Sequence, residues 1–140
     1  DVEALKKGLA DDIMDVIATD HAPHAAREKE QGIQKAPFGI VGLETAAALT
    51  YTELVKPGIL TPMQMAEKMS YNPAKVLRLE KGTVAEGSHA DLTIFDPECE
   101  WVIDPAEFLS KGKNTPFGGR KVTGKVKATI VDGEIAYLEK

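Results

Sequence analysis

The apolar positions in the first part of the chain recur at helical spacing and predict helices. Residues 2–10 place apolar side chains one helical turn apart, and Asp1 precedes them as a candidate cap. The alanine-rich stretch at 40–55 has the same spacing and is followed by Pro57-Gly58, a pair that ends helices. We therefore expect two amphipathic helices here, both with an apolar face to bury.

Two further helix starts are predicted by a capping residue followed by proline. Thr61 precedes Pro62, and Asn72 precedes Pro73. Proline is favoured in the first helical turn, where its missing N–H costs nothing. Residues 25–37 carry no periodicity and are mostly polar, so we expect an irregular, mobile loop there.

Residues 13–18 read instead as a short buried strand. Alternation places Val16, Ala18 and Asp20 on one face, and the opposite face is mainly apolar too. Apolar side chains on both faces are typical of a parallel strand that is covered on both sides.

Beyond residue 80 the pattern changes to short alternating runs with glycines at turn spacing, which predict a β-rich segment. Asp132-Gly133 between two such runs is a strong hairpin signal. We expect strands around 92–94, at 100–103, at 125–131 and at 134–139. The chain is thus divided into residues 1–79 and residues 80–140.

Composition narrows the function classes. The 140 residues carry a net charge of −5 with no basic stripe, so nucleic acid is not an expected partner. No apolar run is long enough to span a bilayer. The single Cys99 excludes an internal disulfide and is compatible with a reducing cytoplasm, where we expect the protein to be located. The chain begins inside a helical pattern without methionine, so we expect a piece of a longer protein.

The candidate chemistry lies in "TDHAPH", where the first strand ends. An acid at the carboxyl end of a buried parallel strand is where α/β folds place catalysis. Asp20 occupies that position, and Pro23 stiffens the turn that displays His24. Such a pair can bind metal, move protons or hold an anionic substrate, whereas the alternative is an ordinary turn in which Asp20 accepts backbone N–H groups. We expect His21 to be structural and His89 to lie on the surface.

Five segments together resemble the C-terminal part of bacterial class I dihydroorotases, members of the amidohydrolase superfamily. They are "DVIATDHAPH", "KAPFGIVGLET", "MSYNPAKVLRL", "KGTVAEGSHADLTIFDP" and "KNTPFGGRKVTGKVKATIVDGEIAY". The resemblance implies an α/β chain that forms the end of a (β/α)8 barrel and then part of a small β-sandwich. Residues 13–20 would be the eighth barrel strand, residues 43–79 the final barrel helices, and the residues from about 81 part of the sandwich.

The resemblance also implies an activity and its residues. The family interconverts N-carbamoyl-L-aspartate and (S)-dihydroorotate in pyrimidine biosynthesis, by a zinc-hydroxide mechanism with two zinc ions. Asp20 matches the catalytic acid/base that also ligates zinc. His24, Phe38 and Gly39 match substrate-binding positions, although Phe38 could alternatively be a core aromatic. The other family ligands would lie upstream, so we expect this chain alone to be inactive and to bind no stable zinc pair.

Two alternatives are open. The chain could belong to a hydantoinase- or dihydropyrimidinase-like ring hydrolase, although a histidine at position 24 favours a carboxylate-bearing substrate. It could also belong to a non-catalytic dihydroorotase-like subunit that serves as a scaffold for a partner such as aspartate transcarbamoylase. For the dihydroorotase itself, as for these alternatives, we expect a homo-oligomer.

Overall fold

A computed structural model describes residues 1–139 and has mixed helix and sheet content. The first helix matches its prediction, and Asp1 takes the N-cap position without a capping hydrogen bond from its side chain. The helical elements are α1 (Val2–Ala10), α2 (Ala26–Lys29), α3 (Ala46–Thr50) continued by a π-helical turn (Tyr51–Val55), α4 (Pro62–Ala66) continued by a second π-helical turn (Glu67–Tyr71), α5 (Asn72–Leu77) and a 3-10 turn (Pro105–Glu107). The strands are β1 (Leu92–Val102), β2 (Lys121–Val131) and β3 (Glu134–Leu138).

The three strands form one antiparallel sheet in the order β1-β2-β3. Asp132 and Gly133 join β2 to β3 with φ angles of 48° and 85°. A two-residue hairpin turn of this kind needs positive φ at both positions, so the hairpin prediction is confirmed.

The first strand of the sheet is longer than predicted. The runs around 92–94 and at 100–103 were expected to be separate strands, but they form a single strand, β1. Its pairing register with β2 breaks between Asp96 and Glu100, where Pro97 lies. Proline cannot donate to a ladder hydrogen bond, so a bulge at this point allows the strand to continue past it.

The hairpin turn is fixed to the segment that precedes the sheet. An Asp91 oxygen accepts the Asp132 backbone N–H over 2.8 Å, and Lys81 binds the other oxygen. These two hydrogen bonds, the backbone one first, hold the pKa of Asp91 below its usual value. His89 is exposed as predicted, with Nδ1 3.3 Å from an oxygen of Asp132.

The segment 13–18, which was predicted as a strand, is not a strand among the described residues. Among residues 1–139 no strand lies beside it, so the segment is extended but has no ladder. Its backbone is held by the helical region that follows instead. The Ile17 N–H donates to the Lys68 carbonyl over 3.0 Å, and the Asn72 side chain donates to the Asp15 carbonyl over 2.9 Å.

Lys68 is the largest fully buried side chain and braces the same segment. Its ammonium donates to Asp12 Oδ1 and to the Met14 carbonyl, each over 2.8 Å, and its side chain is 1% exposed.

We expect Lys68→Ala to lower the free energy of unfolding by about 3 kcal/mol, because a cavity and an unpaired carbonyl remain. Lys7→Ala is the control, since Lys7 is exposed and its ion pair should contribute less than about 0.5 kcal/mol. Urea unfolding of both variants tests this, and equal losses would contradict it.

The other helix predictions are confirmed in part. Thr61 accepts the Gln64 N–H over 3.2 Å and caps α4 as predicted. The predicted helix at 40–55 begins only at Ala46, because residues 40–45 pair with other parts of the chain. Asn72 does not cap a helix. It has helical dihedral angles and continues the preceding π-helical turn, whose wider spacing lets Pro73 lie inside the helical run.

The packing gathers around two apolar clusters. The first joins residues from both sides of position 80, whereas the second lies within the helical region. The members of the first are Val41, Ala48, Ile103, Phe108 and Val122. Those of the second are Leu9, Val55 and Leu60.

The division of the chain into residues 1–79 and residues 80–140 stays a prediction. No helix among the described residues combines the length and apolar character that crossing a bilayer demands.

Candidate functional site

Asp20 ends the extended segment with an unusual backbone conformation. Its φ angle is 43°, a left-handed value that aspartate tolerates better than most residues, and the residue is exposed. Within residues 1–139 no hydrogen bond or ion pair engages its carboxylate. The described residues therefore give no support to the alternative in which Asp20 accepts backbone N–H groups of the turn. The carboxylate is left available for chemistry.

His24 is held by its backbone and its ring. Its N–H donates to Asn114 Oδ1 over 2.9 Å, and ring Nε2 lies 2.9 Å from the Phe38 carbonyl oxygen. A carbonyl can only accept, so Nε2 carries the hydrogen. Nδ1 then lies 4.0 Å from a Glu28 carboxylate oxygen, and the side chain is 22% exposed. This ring is oriented, partly solvent-accessible and beside a carboxylate.

Phe38 and Gly39 form the second wall of the site. Phe38 is 95% exposed, so it is not part of a core formed by the described residues. Gly39 has a φ of 110°, and a Cβ there would lie 2.5 Å from the Ala22 Cβ. Only glycine fits such a close approach. The two predicted positions thus lie against the turn that carries His24.

His21 has a structural partner, as expected. Its Nδ1 accepts the backbone N–H of Gly42 over 3.1 Å. Because the lone pair of that nitrogen is engaged, Nδ1 is not free to ligate a metal. The contact also explains part of the late start of α3.

Sequence reasoning missed two residues that build the site. Lys29 donates to the carbonyls of Pro37 and Gly39 over 2.8 and 3.0 Å. The region 25–37 was predicted to be irregular, but it contains the helical turn α2, which presents this lysine inward. The Lys/Arg/Glu run alone indicated only a solvated face. The second missed residue is Asn114. Its side-chain amide also donates to backbone carbonyls of the site, those of Ala22 and Gly39, but it lies much farther along the chain.

The described residues do not form a metal site by themselves. No group of three or more His, Cys, Asp or Glu side chains is close enough to hold an ion within the part of the chain that the structure covers. Among residues 1–139, Asp20 is the carboxylate at the site without a partner, and His21 and His24 are engaged through ring nitrogens. A zinc pair would thus need ligands from outside these residues.

The chain is similar to curated dihydroorotases. It is 54% identical to the dihydroorotase of Pelotomaculum thermopropionicum over 140 residues, covering 100% of this chain and 33% of that protein. It is 56% identical to the dihydroorotase of Bacillus cereus (strain AH820) over 137 residues, covering 98% of this chain and 32% of that protein. The chain therefore spans about a third of the length of these relatives.

Solved structures give a second comparison. The L-hydantoinase (dihydropyrimidinase) of Arthrobacter aurescens superposes with a TM-score of 0.90 at 34% identity, over 96% of this chain and 31% of that one. Residues 1–136 match the amidohydrolase family. A match of this extent, together with the hydantoinase-like fold, establishes that the chain belongs to the amidohydrolase family.

Proposed function

We propose that this chain is the C-terminal part of a zinc-dependent dihydroorotase that interconverts N-carbamoyl-L-aspartate and (S)-dihydroorotate. The observation that carries the proposal is the turn 20–24, which leaves the Asp20 carboxylate free while bringing His24 against the Phe38 carbonyl. The relatives named dihydroorotase, at 54% and 56% identity, support the choice of reaction.

The proposal includes the fold of the longer protein. Residues 1–79 would complete a (β/α)8 barrel, with 13–20 as its eighth strand, and residues 80–140 would contribute to a β-sandwich. The extended backbone of 13–20 without a ladder supports this, because those of its N–H and C=O groups that the helical region does not bind need partner strands. The whole protein would be cytoplasmic and homo-oligomeric, and aspartate transcarbamoylase is the proposed partner.

Asp20 would act as general base and general acid. When the dihydroorotate ring is hydrolysed, the Asp20 carboxylate would take a proton from the attacking water and return it to the leaving amide nitrogen. In ring closure the same proton moves in the opposite order. Zinc, when bound, supplies an acidified water near neutral pH, and Asp20 would be one of its ligands. The remaining ligands would come from outside the described residues.

His24, Phe38 and Gly39 would bind the substrate. The His24 ring can donate to an anionic or carbonyl oxygen once Nε2 leaves the Phe38 carbonyl. The Phe38 carbonyl, once freed, can then accept a hydrogen bond from an N–H group of the substrate ring. Gly39 would contact the substrate through its backbone, and it packs too closely on the Ala22 Cβ for any side chain to fit at this position.

The test of this assignment is His24→Ala in the full-length protein. We expect KM for dihydroorotate to rise about tenfold or more, because a charge-assisted hydrogen bond is lost, while zinc content stays unchanged. Steady-state kinetics and metal analysis measure the two quantities. His89→Ala is the matched control, since His89 is exposed and distant from the proposed site in sequence. Loss of zinc would make His24 a ligand, and an unchanged KM would make it structural.

A second candidate is a hydantoinase- or dihydropyrimidinase-like hydrolase, which the superposition on an L-hydantoinase favours. The two differ in whether the substrate bears a carboxylate. Turnover of dihydroorotate, hydantoin and dihydrouracil by the full-length protein separates them. Turnover of none of these, with the fold intact, would favour the non-catalytic scaffold.

A further inference from the structure

The Asn114 side chain connects the two loops that form the proposed site. Its Oδ1 accepts the His24 N–H over 2.9 Å. Its Nδ2 donates to the Ala22 carbonyl over 2.9 Å and to the Gly39 carbonyl over 3.2 Å. One amide thus contacts both sides of the site from a position 90 residues beyond His24.

The backbone around Asn114 fixes that amide in place. Its carbonyl accepts the Val41 N–H over 3.0 Å, which holds the second loop a further time. Gly112 is buried, and a Cβ there would lie 2.7 Å from the Pro23 Cβ and 3.0 Å from Asn114 Oδ1. The segment therefore presses directly against the turn and leaves little freedom for the amide to move.

The chemistry of the three hydrogen bonds requires an amide. One acceptor faces an N–H group, and two donors face carbonyl groups. A carboxylate of the same shape keeps the acceptor but turns an oxygen toward two carbonyls, which is repulsive. A hydroxyl or a methyl group cannot reach all three partners.

We propose that Asn114 is a positioning residue for substrate binding, which sets the spacing between His24 and the Phe38–Gly39 loop. This inference rests on the proposed function, because it assumes that those residues bind the substrate. The side-chain hydrogen bonds of Asn114 are made to backbone groups of Ala22, His24 and Gly39, and none of them involves Asp20. Its loss should therefore weaken binding more than it slows the chemical step.

The experiment uses Asn114→Asp and the milder Asn114→Ser in the full-length protein. For both we expect KM for dihydroorotate to rise about tenfold while kcat stays within about threefold, since the binding groups lose their alignment. Asn72→Asp is the matched control. That amide also donates to a backbone carbonyl, Asp15, but at the far end of the extended segment. It should change thermal stability without changing KM beyond about twofold.

A double variant distinguishes positioning from general damage. His24→Ala combined with Asn114→Ser should raise KM by less than the product of the two single effects, because the part of the Asn114 effect that depends on the His24 ring is already lost. A double variant whose KM rises by the product of the two single effects would overturn the inference. So would Asn114→Ser with a lowered Tm and a wild-type KM. If His24→Ala itself leaves KM unchanged, the proposed substrate site fails instead.

Discussion

Asp20→Asn in the full-length protein is expected to lower kcat for dihydroorotate hydrolysis and for ring closure by at least about 100-fold, the scale of a lost general acid/base. The amide has nearly the shape of the carboxylate, so the left-handed turn at Asp20 should be preserved. It cannot accept a proton, however, and it is a poorer ligand for zinc. Steady-state assays in both directions measure the effect.

Asp15→Asn is the control for this variant. Asp15 lies on the same extended segment and is exposed, and its backbone carbonyl accepts from Asn72 whatever the side chain is. The kcat of the Asp15→Asn variant should therefore stay near the wild-type value. If Asp20→Asn kept a tenth of wild-type kcat with an unchanged fold, the proton-transfer role would be wrong.

The predictions that held rest on signals contained within a few residues. Asp132 and Gly133 form the hairpin because a two-residue turn depends on its own φ angles. Thr61 caps α4 because its hydroxyl reaches an N–H only three positions ahead. In both cases the energetic reason is local, so the sequence pattern alone identifies it.

The predictions that failed depend on partners far along the chain. The stretch 40–55 has helical periodicity from its start, yet Val41 and Gly42 bond to Asn114 and His21, so the helix begins at Ala46. Tertiary hydrogen bonds outweigh a helix propensity of a few tenths of a kcal/mol per residue, about the usual range. A single sequence contains no sign of such pairings.

The candidate site shows the same division. His24 and Phe38 could be selected because their motifs resemble a known family, and the fold brings them within a hydrogen bond of each other. Asn114 and Lys29 could not be selected in this way. Each donates to backbone carbonyls, and in the sequence such a residue cannot be distinguished from an ordinary polar surface residue. Residues that position others carry no local pattern of their own.

The 140-residue chain produced alone is expected to show no turnover and no stable zinc pair. The residues described contain one unengaged candidate ligand at the site, Asp20, whereas two metals need several. The segment 13–20 also lacks ladder partners within those residues, and Ile13 at its start is 76% exposed. Unpaired backbone beside exposed apolar side chains favours association with another chain. We therefore expect the chain to self-associate while its three-stranded sheet stays folded.

Metal analysis, activity assays and sedimentation of the 140-residue chain test this, with the full-length protein as the positive control. Ile13→Lys should shift the chain toward monomer, because it places a charge on the unpaired segment. Ile33→Lys is the matched control, since Ile33 is 95% exposed in the loop 25–37, away from that segment in sequence. Turnover or two zinc ions per chain would show that the chain suffices for the site. A monomeric wild-type chain, or equal effects of the two lysine variants, would show that 13–20 is not the associating edge.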